Sequence, residues 1–205
     1  MTIDLPESLA ETWQPLGTRT GEASVLVATI TTETTLYEPT DSTAPSELGP
    51  SRIPVRSLFA VDVSISPSLS VIGVSPESTL SKAAPKAKSQ FVDTLTDEGL
   101  VVDGTRETLE FEGPNGNAGK WYVLDAAYPV DSDLTDGDTD RIAAEAHVAV
   151  WPTETSYAMA GGTLPLEVPD EVTDALEESL DVDPERDRET VAALIRTIEP
   201  DETTD

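Results

Sequence analysis

Glu145 and His147 stand two residues apart in the run RIAAEAHVAVW (141–151), and His147 is the chain's single histidine. The run alternates as a strand does, so the two side chains share one face. Ile142, Ala144, Ala146, Val148 and Val150 form the other. A carboxylate beside an imidazole can move protons or supply two ligands to a metal. Any nucleophilic triad would have to use His147, yet no G-x-S-x-G is present. A metal would need further ligands, and DSDLTDGDTDR (131–141) is the nearest oxygen-rich stretch. Asp136, Asp138 and Asp140 match the first, third and fifth positions of a calcium loop. Arg141 and His147 stand where that loop needs Gly and Glu. These aspartates are the candidate cation ligands, and the competing reading is a solvated acidic turn beside a structural histidine.

EGPNGNAGKWY (112–122) approaches a phosphate-binding loop. Five residues before Gly119 lies Pro114 rather than Gly, and Lys120 is followed by Trp121 rather than a hydroxyl. The β-patterned residues that follow offer no helix N-terminus to an anion. The glycines and Asn115-Gly116 are expected to form a turn between two strands. No cofactor is expected.

Composition narrows the classes further. Forty Asp and Glu face twelve Lys and Arg, a net charge of −28 over 205 residues. This acidity resembles that of cytoplasmic proteins from salt-in halophiles. At low salt the carboxylates repel one another and oppose compaction. At molar salt the Debye length falls to about 3 Å and the repulsion is screened. No broad basic surface exists to meet nucleic-acid phosphates. Cysteine is absent, which excludes disulfides, thiolate metal sites and Cys nucleophiles. MTIDLPESLAETW has neither a basic start nor an apolar run, so no signal peptide is expected. No apolar stretch approaches the ~20 residues that span a bilayer. The expected location is the cytoplasm.

The chemistry-bearing residues need elements to position them. Residues 23–36 read as one strand, 38–54 as a Pro-rich loop and 56–66 as a half-buried strand, with a possible further strand at 68–74. Leu80, Ala84, Ala87, Phe91 and Leu95 fall at helical spacing and predict a helix over about 78–98, stopped by Gly99. Pro85 argues for a later start, near 83. Strands follow at 108–111, 120–128, 141–151 and 156–162. Val172, Ala175, Leu176 and Leu180 suggest one more helix, and Asp183-Pro184 the start of another. The order predicts an α+β fold: a twisted, mainly antiparallel sheet of about 5–7 strands, with the 78–98 helix and the C-terminal helices on one face. The expected division is an α+β domain (1–166), an acidic helical segment (167–199) and a disordered tail (200–205).

Two surface features suggest contacts. Lys82, Lys86 and Lys88 hold three of the four lysines of this acidic chain. Leu194, Ile195 and Ile198, with Val191, form an apolar stripe that can dock on the sheet or on a partner. The favoured expectation is a non-enzymatic protein acting through protein–protein contacts at the open sheet face, the lysines or the C-terminal helices. The alternative is a small metal-dependent hydrolase or ion-binding protein using His147, Glu145 and the 131–140 loop. The charge carries its own test. The melting temperature should rise steeply between 0.1 and 3 M KCl, about the range over which screening becomes complete; a salt-independent value would remove the halophilic reading.

Overall fold

A computed structural model describes residues 4–25, 28–41, 49–131, 141–175 and 182–198. The chain runs α1 (Glu7–Ala10), β1 (Trp13–Val25), β2 (Ala28–Pro39), β3 (Ser57–Ser66), α2 (Pro76–Asp97), β4 (Val101–Glu112), β5 (Ala118–Pro129), β6 (Arg141–Pro152), β7 (Tyr157–Glu167), α3 (Asp170–Ala175) and α4 (Pro184–Thr197). The fold is α+β. One antiparallel seven-stranded sheet has the order β1-β2-β3-β7-β6-β5-β4. It is two meanders joined where β3 pairs with β7, with α2 carrying the chain from the central strand β3 to the edge strand β4.

Alternation builds two cores. Phe59, Val61 and Val63 of β3, with Tyr122, Leu124, Ala126 and Tyr128 of β5, pack under α2 and α3. Leu58, Ala60, Trp121 and Val123 point the other way, where Val191, Leu194, Ile195 and Ile198 of the C-terminal helix cover them. The expectation that the C-terminal helices share the α2 face therefore holds for Val172 of α3 and differs for α4. Its apolar stripe finds the face that α2 leaves bare, because strands apolar on both sides need two covers.

The 23–36 run contains parts of β1 and β2, which pair from Trp13↔Pro39 to Val25↔Ala28. The composition of β1 hid it: Pro15, Gly17 and Gly21 read as breakers, yet β1 is an edge strand, and its register shifts between Pro15 and Gly17. β4 occupies the other edge and is far longer than 108–111. It is exposed along nearly its whole length and has two register shifts, so it lacks the expected alternation. Residues Leu69–Ile72 form a 3-10 turn rather than a strand.

Helix α2 begins at Pro76, with Ser75 Oγ accepting from Ser78 N, and continues through Pro85. Ser81 and Pro85 lie on its exposed side, where water can serve the carbonyl that Pro85 leaves without a donor. Its end is a Schellman motif: Gly99 N donates to Thr96 O at 3.1 Å and Leu100 N to Leu95 O at 2.9 Å, with Gly99 at φ +97°. A Cβ at Gly99 would lie 3.2 Å from Pro50 O. Gly99→Ala should therefore destabilise the protein by about 1 kcal/mol or more, read by denaturant unfolding at fixed salt; an unchanged midpoint would contradict this role.

Candidate functional site

Strand β6 sets Glu145 and His147 on the face beneath α4, both almost fully buried. A buried carboxylate is tolerable only when it is paired and hydrogen-bonded. Arg188 of α4 supplies a fork: Nε donates to Oε2 at 2.8 Å and Nη2 to Oε1 at 2.9 Å. Arg106 of β4 reaches Oε1 from the sheet edge and also binds Asp125. His147 Nε2 lies 3.2 Å from Glu145 Oε2, and Trp121 Nε1 donates to His147 Nδ1 at 3.2 Å. An indole N–H can only donate, so Nδ1 is the acceptor and Nε2–H is the donor to Glu145. Burial alone would raise the Glu145 pKa. The hydrogen bonds from His147 and Arg188, together with the Arg188 charge, outweigh it and bring the value down to about 2.

Both imidazole nitrogens and both carboxylate oxygens are thus committed to neighbours. The group works as a lock between β4, β6 and α4. A second ionic pair anchors the start of the same helix: Arg56 Nε and Nη2 donate to buried Asp187 at 3.1 and 2.8 Å, while its guanidinium lies 5.8 Å from the Trp13 ring centroid. Asp183 caps α4 by accepting from Arg186 N at 3.1 Å. The candidate contact residues Leu194, Ile195 and Ile198 lie in this seam with at most 2% exposure. Lys88 turns inward, donating to Thr105 Oγ1 at 3.1 Å and lying 5.3 Å from the Tyr122 ring. Lys82 and Lys86 remain on the exposed face of α2. Asp136, Asp138 and Asp140 lie outside the described residues. Among the described residues, no group of three or more acidic or histidine side chains is placed to hold a metal.

The glycine-rich segment is a hairpin turn. Gly116 has φ +79°, and Gly113 N donates to Asn117 O at 2.8 Å. Asn115 and Asn117 amides both donate to Pro152 O, tying the turn to the end of β6.

A different region has the shape of a site. Helix α2 packs most closely over β4, β5 and β6, reaches β3 at Phe59, and leaves β1 and β2 beyond it uncovered. Between them lies a cleft of about 430 Å³. Its floor is Thr32, Thr34, Leu36, Phe59 and Val61, and its wall is Ala87, Phe91, Thr94 and Leu95 of α2. Phe59 and Phe91 meet with ring centroids 4.9 Å apart. Arg19 and Arg52 stand at the rim with Glu98, the residue that ends α2. Arg19 Nη1 donates to Glu98 Oε1, which raises the Arg19 pKa. Glu98 Oε2 is buried and has no hydrogen-bond partner among the described residues. Sequence reasoning found Phe59 and Phe91 as core residues but had no signal for this rim. Arg19, Arg52 and Glu98 meet only because β1 and the segment before β3 close around the end of α2.

A family model described as a domain of unknown function (DUF6517) matches residues 10–199. The chain belongs to the DUF6517 family. No curated protein and no solved structure matches it. The match in this DUF6517 chain runs through both meanders and α4, so the ionic lock and the cleft both lie inside the family's span. No helix among the described residues is long and apolar enough to cross a membrane.

The ionic lock sets a pH response. The Glu145 pKa is lowered from 4.5 to about 2 on folding, so the unfolded chain takes up its proton first as pH falls. Its stabilisation is present above pH 4.5 and is lost as pH falls toward 2. Glu145→Gln leaves Arg188 without a carboxylate and Arg106 with Asp125 alone, and should cost on the order of 1–3 kcal/mol at neutral pH. The gap between wild type and variant should close across that acid window in denaturant titrations. A gap independent of pH would contradict the assignment.

Proposed function

We propose that this DUF6517 protein is a non-enzymatic binding protein that works through the cleft between β1–β3 and α2. One observation carries the reading: the half of the sheet face that α2 leaves uncovered is concave, with Phe59, Phe91 and Leu36 in its lining and a volume of about 430 Å³. Concave, largely apolar sites of roughly 300–1,000 Å³ suit small ligands, whereas protein partners generally take broader surfaces. The other contact surfaces considered support a protein partner less well, because the α4 stripe is buried and Lys88 is engaged within the fold. The hydrolase alternative asks Glu145 and His147 for open positions, and their polar atoms already serve the α4 lock. In this reading the protein acts in a salt-rich cytoplasm, where its acidic surface keeps it dispersed.

Filling the cleft tests the proposal. Thr34 sits on the floor opposite Val61, and a strand accepts an aromatic there. A neutral apolar fluorophore, N-phenyl-1-naphthylamine, should bind the folded protein at molar KCl. Thr34→Trp should weaken that binding about tenfold while the thermal transition is retained. Absence of probe binding, or binding indifferent to Thr34→Trp, would overturn the reading.

A further inference from the structure

We infer that the cleft selects an amphipathic carboxylate, its apolar body lying along Phe59 and Phe91 and its carboxylate meeting Arg52. The inference rests on the binding reading of the same cleft and adds the class of ligand. The argument begins with charge. Cations are scarce in this chain, twelve against forty acids, yet two of them stand at one rim. They face one carboxylate, Glu98, so the rim carries a local excess of positive charge. The two arginines differ in commitment. Arg19 is hydrogen-bonded to Glu98 Oε1, whereas the Arg52 guanidinium approaches Oε2 only to 4.0 Å, beyond hydrogen-bond range.

Backbone holds Arg52 at this position. Arg52 N donates to Glu98 O at 3.0 Å, and the next residue, Ile53, is buried in the core. The side chain itself is 75% exposed. Glu98 Oε2 keeps the guanidinium near the rim without saturating its five donors. A planar fork of that kind recognises a carboxylate through two parallel hydrogen bonds. The aromatic pair inside the cleft supplies the apolar surface for the remainder of the ligand. Elsewhere the surface charge disfavours anions, so a carboxylate gains at this rim what it loses on approach.

Octanoate and its neutral counterpart 1-octanol make the decisive pair, measured by displacement of N-phenyl-1-naphthylamine at the lowest KCl concentration that keeps the protein folded. Octanoate should bind about fivefold more tightly than octanol. Arg52→Gln should remove about that fivefold preference and leave octanol binding unchanged. The exposure of Arg52 keeps this variant folded, and Arg52→Lys should restore part of the preference. Equal binding of the two probes to the wild type, or a preference that survives Arg52→Gln, would overturn the carboxylate assignment while leaving the cleft as a binding site. Failure of both probes together with the naphthylamine would remove the binding reading as well.

Discussion

The structure depends on the burial of one carboxylate beneath a helix. Glu145 projects from β6 into the seam under α4, where water is excluded. An uncompensated charge there would prevent docking of the helix. Arg188 brings compensation from α4, Arg106 from the edge strand, and His147 from the same strand. The apolar stripe of α4 supplies the driving force, but it is indifferent to small rotations and slides. The guanidinium fork and the Arg56–Asp187 pair at the start of α4 fix position along the sheet. The pairing therefore specifies where the helix lies, while Val191, Leu194 and Ile195 supply the burial.

With the second face closed by α4, the other face carries the opening. Helix α2 packs on β4, β5 and β6, and its Schellman end turns the chain directly into β4. That geometry cannot also cover β1 and β2, whose residues on this face include Arg19 of β1 and Thr32 and Thr34 of β2. Thr32 and Thr34 of the floor tolerate exposure, and Phe59 of the floor and Phe91 of the wall give the opening an apolar surface. The cleft thus follows from one helix serving a sheet too wide for it.

The acidic composition makes the placement of cations informative. Arg56, Arg106 and Arg188 serve buried or half-buried carboxylates, and Lys88 packs on Tyr122. In an ordinary chain such pairs are lost among many surface ion pairs of little value. Here Arg56, Arg106 and Arg188 each join elements distant in sequence, and Arg52 stands out by holding its carboxylate neighbour only loosely.

Sequence alone determined the class of fold and the elements with strong periodicity. Phe59, Val61 and Val63 marked β3, residues 120–128 and 141–151 marked β5 and β6, and Leu80, Ala84 and Leu95 marked α2. Gly99 and Asp183-Pro184 marked helix ends, since capping is a local matter of a few residues. Edge strands β1 and β4 were marked only in part, by 23–36 and 108–111, because strands exposed on both faces along most of their length need no alternation. The face on which α4 docks, the arginine partners of Glu145 and the rim of Arg19, Arg52 and Glu98 were decided only by the tertiary structure. Each joins residues dozens of positions apart, and the physical reason is common to all of them. Periodicity reports which side of an element is apolar, whereas charge pairing and concavity arise from how separate elements meet.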